Sequence, residues 1–295
     1  MEIRRVGIVG AGTMGRGIAE MVAMKGYDAI LVDRSEELAE AARKAIDLSL
    51  TRQLEKWAIT EAEKKVATGR IQFTSDITQL ADADIVIESV IEDLDTKKEI
   101  FRIMDQVCQK NIIVASNTST LSITEMGAVT YRPRRIIGLH FLNPVTKMKM
   151  VEIVRGLKTS DETFQESKKF VQDLGKTGVE VYESPGFVTT RLIMPLVNEA
   201  MYALMEGVAS SEGIDAAMRL GYDFAKGPLE MADRMGLDSV LTAMERLWRD
   251  FGELKYRPCP LLRKLVRAGH LGVKSGEGFF KYDNDGNMVR NGNGG

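Results

Sequence analysis

Gly10-Ala11-Gly12-Thr13-Met14-Gly15 lies almost at the N-terminus, preceded by Val6-Gly7-Ile8-Val9 and answered downstream by Ala29-Ile30-Leu31-Val32-Asp33. The apolar run before the glycines predicts a buried parallel strand, and Met14–Lys25 after them predicts a helix. Gly10 permits a tight turn, Gly12 lets a pyrophosphate come up to the backbone, and Gly15 lets the helix pack closely on the strand. Phosphates then sit over the helix N-terminus, where free N–H groups and the helix dipole favour negative charge. The second strand ends in the carboxylate of Asp33, where a ribose hydroxyl needs an acceptor. Glycine-rich turns are common. Strand, turn, helix, strand and acid at these spacings together predict a dinucleotide site built from Gly10, Gly12, Thr13, Met14, Gly15 and Asp33. Asp33 favours NAD over NADP, because a carboxylate repels a 2′-phosphate, whereas Arg34 beside it pulls the other way.

At 295 residues the chain suits two domains better than one core. A net charge of -2 offers no electrostatic case for nucleic acid or an anionic membrane surface. Cys108 and Cys259 form neither a metal spacing nor a disulfide framework, which fits a reducing compartment, with the cytoplasm as the default location and no metal expected. The apolar stretch Leu192–Met205 is interrupted by Asn198 and Glu199, so no membrane span is expected. Arg4-Arg5 ahead of Val6–Val9 has the look of a leader sequence. Those apolar residues are already committed to the first strand, and no cleavable leader is expected.

The first half alternates strand and helix patterns, implying a mostly parallel sheet wrapped by helices. Ser35–Gly69 predicts two charged helices with a break near Trp57, longer than a simple crossover needs. Further strands are expected at Ile71–Phe73, Ile85–Glu88, Ile112–Ala115, Ile136–Leu139, Met150–Val154 and Val179–Val181. Beyond Pro185-Gly186 the apolar spacing is helical throughout, as in Leu192–Met205 and Leu237–Leu247. The expected division is a Rossmann-like doubly wound α/β domain over 1–184, with the helical insertion at about 35–69, then an all-α domain over 185–283. The Gly- and Asn-rich stretch 284–295 is expected to fray.

Only two histidines exist, so a histidine acid/base has few candidates. His140 follows the Ile136–Leu139 strand, at the carboxyl end where ligands of open α/β sheets gather. Glu152 belongs to the next strand pattern, and a carboxylate beside an imidazole fixes its tautomer and stabilises its protonated form. Residue type alone favours a hydrogen-bonded structural histidine at His140, and His270 reads as a helix-end residue. Ser116-Asn117-Thr118-Ser119-Thr120 follows another strand end. Its polar groups could face the same crevice, or Ser119 or Thr120 could cap a helix over Leu121–Met126. Arg52 and Lys56, four residues apart on one helix face, could hold a phosphate-bearing substrate tail, although such pairs are more often a solvated face.

Taken in order, these motifs resemble the short-chain 3-hydroxyacyl-CoA dehydrogenase family, from Val6 to about Tyr282. The glycine turn is joined by Glu88-Ser89-Val90-Ile91-Glu92, Ala115-Ser116-Asn117-Thr118-Ser119 and Gly138-Leu139-His140-Phe141-Leu142-Asn143-Pro144. Pro185-Gly186-Phe187, Lys226-Gly227-Pro228-Leu229-Glu230 and Lys274-Ser275-Gly276-Glu277-Gly278-Phe279 follow. The resemblance implies that His140 is the acid/base, Glu152 its orienting partner, and Ser119 a hydrogen-bond donor to the substrate oxygen near the nicotinamide. It implies that Glu92, Lys97, Asn143 and Lys274 lie near NAD, alongside Asp33 at the adenosine ribose. Arg52 and Lys56 match the CoA-contacting region less closely. Thr190, in Val188-Thr189-Thr190-Arg191, stands where many members carry asparagine, and its hydroxyl can donate one hydrogen bond in place of that amide.

The resemblance thus implies reversible NAD-linked oxidation of an (S)-3-hydroxyacyl-CoA, such as 3-hydroxybutyryl-CoA, to a 3-ketoacyl-CoA such as acetoacetyl-CoA. It also implies a homodimer through the helical domain. Two other readings keep the fold. One is an NAD-dependent dehydrogenase of a free hydroxy or sugar acid, such as L-gulonate. The other is a non-catalytic NAD-binding protein, which has no need of the His140, Glu152 and Ser119 set.

Overall fold

In the computed structural model, which describes residues 3–289, the chain divides into two compact units, one ending at Phe187 and the other beginning at Val188. The first is built on an eight-stranded sheet. Its strands are β1 (Arg5–Val9), β2 (Asp28–Val32), β3 (Ile71–Thr74), β4 (Ile85–Glu88), β5 (Ile113–Ser116), β6 (Ile136–Phe141), β7 (Met150–Arg155) and β8 (Thr177–Tyr182). They lie side by side in the order β3-β2-β1-β4-β5-β6-β7-β8. The neighbours pair in parallel except β6 with β7, which run antiparallel. The helices of this unit are α1 (Thr13–Met24), α2 (Glu36–Glu55), α3 (Glu61–Gly69), α4 (Leu94–Val107), α5 (Ile123–Ala128) and α6 (Asp161–Asp173).

The six strands between the edges β3 and β8 read as mostly apolar runs because both faces of the sheet are covered there. Successive residues alternate between two cores. Val6, Ile8, Leu31, Ile85 and Ile87 pack with residues of α1, α2, α3 and α6, whereas Val9, Ile30, Val32, Val86 and Val114 pack with residues of α4 and α5. That is the doubly wound arrangement. Burial of each such isoleucine or leucine side chain stabilises the fold by roughly 1.5–3 kcal/mol relative to exposure.

The long charged stretch after β2 holds to this core by one narrow stripe. Ala39, Ala42, Ile46 and Leu50 are buried along α2 at spacings of three and four residues. Ser35 caps the start of α2, accepting the Leu38 N–H. The helix ends where Trp57 takes a left-handed φ of 56°. Thr60 and Glu63 form a reciprocal capping box that starts α3.

The second unit is helical: α7 (Thr189–Met205), α8 (Ser211–Tyr222), α9 (Pro228–Met235), α10 (Leu237–Phe251) and α11 (Pro260–Arg267). Met194, Val197 and Met201 of α7 share a core with Leu229 of α9, Met244 and Leu247 of α10, and Leu262 of α11. Two buried polar groups lock loops onto this core. Asn198 donates to the Arg257 carbonyl and accepts the Cys259 N–H. The Asp233 carboxylate accepts the N–H groups of Phe279 and Phe280 and the Tyr282 hydroxyl, each at 3.0 Å. Burial pushes the Asp233 carboxyl up to about 6, and those three donors pull it back only partly. Asp233 also accounts for Gly278 of the Lys274–Phe279 motif, since a Cβ there would lie 2.0 Å from its Oδ1.

Of the stretch expected to fray, residues 284–289 carry turn contacts. Asp283 accepts the N–H groups of Asp285 and Asn287, and Met288 bridges back to Tyr282. Gly286, at a φ of 75°, supplies the turn between them. The remainder, 290–295, lies outside the described residues. Among the described residues no helix is long and apolar enough to cross a membrane, and no cluster of His, Cys, Asp or Glu is arranged to hold a metal ion.

Candidate active site

Backbone geometry alone shapes the glycine turn for a ligand. Gly10, at a φ of 101°, donates its N–H to Val32 O, and a Cβ on it would lie 2.6 Å from the Ser89 carbonyl oxygen. At Gly15 a Cβ would come within 1.8 Å of the Gly10 carbonyl oxygen, so α1 can start this close to the turn only without one. Gly12 is different. An added Cβ there would meet nothing within 4 Å, so the space over the start of α1 is open. No side chain caps α1 among the described residues, and its first-turn N–H groups remain to bind an anion. Asp33, just past β2, accepts the Ala11 N–H at 2.6 Å and the Arg34 N–H at 2.7 Å, which fixes its carboxylate beside the turn. These groups fit the pyrophosphate and ribose of a dinucleotide.

His140 lies within β6 rather than beyond it, a correction to the shorter strand expected from Ile136–Leu139. The reason is the antiparallel neighbour. β7 pairs residue for residue as far as Phe141↔Val151 and keeps the strand extended through His140. The register sets His140 directly opposite Glu152, which puts both side chains on one face of the sheet. His140 Nδ1 and Glu152 Oε2 are 2.6 Å apart, and both residues are buried. A carboxylate only accepts, so Nδ1 carries the proton of the neutral ring and Nε2 is left with a lone pair. The Phe187 ring covers the imidazole, with centroids 5.8 Å apart. The Pro185-Gly186-Phe187 motif thereby gains a contact that its sequence does not reveal. His270 is 3.7 Å from Glu277 at the end of the α11 segment, in the second unit.

Ser119 is on the loop after β5, and Glu92 organises that loop. Glu92 Oε1 takes the Thr118 hydroxyl at 2.5 Å, the N–H groups of Ser119 and Thr120 at 3.0 and 3.1 Å, and lies 3.3 Å from the Ser119 hydroxyl. Glu92 in turn is 3.5 Å from Lys97 Nζ. Lys97 is fully buried and bonds Glu88 Oε1 at 2.6 Å, while Glu88 also accepts from Ser116 Oγ and the Val90 N–H. Lys97 therefore supports the loop from below. The helix-cap assignment is corrected. The cap of α5 is Ser122, which accepts the Glu125 N–H, because Ser119 and Thr120 are spent on Glu92 and the helix starts later than expected.

Asn143 lies exposed beyond β6 at a cis bond to Pro144. Arg52, in the last turn of α2, and Lys56, at its C-cap, are both exposed, and the Trp57 ring beside them is 94% exposed. In the second unit, Thr190 is buried in the first turn of α7. Lys274 there pairs with Asp238. Neither cysteine is placed as a nucleophile, since both are buried and burial pushes the Cys108 thiol up to about 11.

A family model for the 3-hydroxyacyl-CoA dehydrogenase NAD binding domain matches residues 5–184, and one for the C-terminal domain of the same enzymes matches 186–282. The chain belongs to the 3-hydroxyacyl-CoA dehydrogenase family. A probable 3-hydroxybutyryl-CoA dehydrogenase of Bacillus subtilis is 48% identical, the match covering 96% of this chain and 99% of that one. The 3-hydroxybutyryl-CoA dehydrogenase of Bradyrhizobium diazoefficiens is 45% identical over 95% of this chain and 96% of its own length. Among solved structures, (S)-3-hydroxybutyryl-CoA dehydrogenase PaaH1 from Ralstonia eutropha superposes with a TM-score of 0.88 at 45% identity, covering 96% of this chain and all of that one. FadB2 of M. tuberculosis does so with a TM-score of 0.94 at 39% identity, again over 96% and 100% of the two chains. The first unit of this family member is thus an NAD-binding Rossmann-like domain.

Proposed function

We propose that this chain is an NAD-dependent 3-hydroxybutyryl-CoA dehydrogenase, interconverting an (S)-3-hydroxyacyl-CoA and its 3-ketoacyl-CoA. One observation carries the reading: the buried His140–Glu152 rung, at 2.6 Å, leaves Nε2 ready to accept a proton, in a chain of this family. NAD, when bound, takes or returns the hydride of the substrate carbon. His140 Nε2 takes the hydroxyl proton during oxidation and returns it to the ketone oxygen during reduction. Glu152 holds the ring in register and stabilises the imidazolium formed meanwhile. Ser119 holds the substrate oxygen in reach of that nitrogen, with Glu92 and Lys97 keeping its loop in place. Asn143 and Asp33 serve the cofactor, with Lys274 and Thr190 assigned to the site on family resemblance.

Arg52 and Lys56 are the choice for the phosphates of the CoA tail, because both are exposed cations at one corner of α2. The two cysteines are free and buried, which fits a cytoplasmic enzyme. The second unit exposes Leu192, Leu220, Tyr222 and Leu254, each more than two-thirds accessible, and we assign this apolar surface to a homodimer contact. Light scattering that returns the mass of a single chain at micromolar concentration would overturn the dimer.

The activity is tested by NADH oxidation with acetoacetyl-CoA, run beside free acetoacetate and beside NADPH. Turnover with NADH and the CoA thioester alone is expected. Equal efficiency with free acetoacetate would shift the reading to a dehydrogenase of free hydroxy or sugar acids. No turnover despite tight NADH binding would make the chain a non-catalytic NAD binder.

A further inference from the structure

β5 ends before β6 does. Their parallel ladder stops at Ser116↔Gly138, whereas β6 continues through Leu139, His140 and Phe141. On its other edge β6 remains paired with β7 as far as Phe141↔Val151. One edge of the histidine-bearing segment therefore faces a place that β5 has already left. A buried N–H without an acceptor costs about 1–3 kcal/mol, and Phe141 is buried.

Asn117 fills the gap with its side chain. Its Oδ1 accepts the Phe141 N–H at 2.8 Å, one residue from His140. Its own N–H donates to the Glu88 carbonyl at 2.8 Å, and its Nδ2 donates to Ser89 Oγ at 3.4 Å. Ser89 donates its N–H to Val9 O, and its carbonyl is the group that lies against Gly10. One carboxamide thus ties together the strand tip that carries His140, the start of the loop that carries Ser119, and the strand tip that backs the glycine turn.

We propose that Asn117 is a positioning residue, whose carboxamide oxygen replaces the missing β5 rung and sets the place of His140 relative to Ser119. It acts on the proton transfer only through the backbone of Phe141. The proposal rests on the dehydrogenase reading of His140. Without this acceptor the end of β6 is held on one edge alone, and a displacement of the imidazole by about 1 Å costs on the order of 10²-fold in rate. The glycine turn keeps its own bonds, from Gly10 N–H to Val32 O and from Ala11 N–H to Asp33, so cofactor affinity is separable from this effect.

The test compares the full-length wild type with Asn117→Ala and Asn117→Asp. It measures kcat with acetoacetyl-CoA and NADH, NADH affinity by fluorescence, and thermal unfolding. Asn117→Ala is expected to lower kcat by about 10- to 100-fold while leaving the NADH Kd within about twofold. Asp retains the acceptor for Phe141 and exchanges the donor to Ser89 for a negative charge, which the Ser89 hydroxyl can meet by donating, so Asn117→Asp is expected to recover kcat to within about fivefold of wild type. If Asn117→Ala fails to fold, Asn117→Ser, whose shorter side chain does not reach the Phe141 N–H, takes its place in the same comparison. A wild-type kcat in Asn117→Ala, an equal fall in both variants, or a loss of NADH affinity in step with kcat would each overturn the proposal. Turnover by the wild type together with its loss in His140→Ala establishes the dehydrogenase reading independently of Asn117. A wild type inactive on acetoacetyl-CoA would overturn both.

Discussion

Replacing His140 with alanine is expected to lower kcat by about 10²- to 10⁴-fold while leaving NADH affinity near normal, because general acid–base catalysis contributes on that scale. Gly12, at the N-cap of α1, and Asp33, just past β2, are the groups proposed for the cofactor, whereas His140 is on β6, so the two measurements separate binding from proton transfer. Glu152→Gln is the companion variant. Glutamine can still accept from Nδ1–H but carries no charge to stabilise the imidazolium. It is therefore expected to lose on the order of 10²-fold in kcat, with a stability cost of about 1–3 kcal/mol for a disturbed buried hydrogen bond. The two residues act as one unit, so the double variant is expected to be little worse than His140→Ala alone. Steady-state kinetics on the three variants checks this. Strictly multiplicative losses would show that Glu152 acts independently of the imidazole, and a His140→Ala variant retaining most of its rate would remove the mechanism.

Two glycines of the turn, Gly12 and Gly15, give the second large effect, for opposite reasons. Gly12→Ala adds a Cβ that meets no protein atom within 4 Å, and Gly12 has an extended backbone that alanine adopts. Its cost to stability is expected to stay under about 1 kcal/mol, the scale of an alanine at a helix N-cap. The methyl group intrudes where the pyrophosphate approaches, and NADH affinity is expected to fall by about tenfold or more, equivalent to about 1.4 kcal/mol. Gly15→Ala does the reverse kind of damage, since its Cβ would press within 1.8 Å of the Gly10 carbonyl oxygen. The backbone must move, and destabilisation of at least about 1–3 kcal/mol is expected. Thermal unfolding and NADH titration on both variants separate the two effects. Unchanged NADH binding in Gly12→Ala would remove the cofactor from that space.

The glycine turn was legible because its requirements are local. A strand, a turn at positive φ and a helix start need only neighbours in sequence, and Gly10, Gly15 and Asp33 declare them directly. The apolar runs of the six inner strands were legible for a related reason, since strands buried on both faces can carry little else. The break at Trp57 showed in the same way, as the point where the α2 stripe stops. The cap of α5 was not legible, because Ser119, Thr120 and Ser122 are alike as N-caps. Only the distant carboxylate of Glu92 decides which of them remain available.

What the sequence by itself determined is a dinucleotide-binding α/β unit followed by helices, with His140, Glu152 and Ser119 as candidate groups. What only the tertiary structure decided is how those groups meet. The antiparallel step from β6 to β7 sets His140 opposite Glu152, yet both strands are apolar runs whose composition does not record direction. The chain from Glu88 through Lys97 and Glu92 to Ser119 crosses from β4 to the loop after β5, and Asn117 reaches from that loop to β6. Such contacts depend on strand order and register. These are set by packing over the whole sheet, and no local pattern of residues carries them.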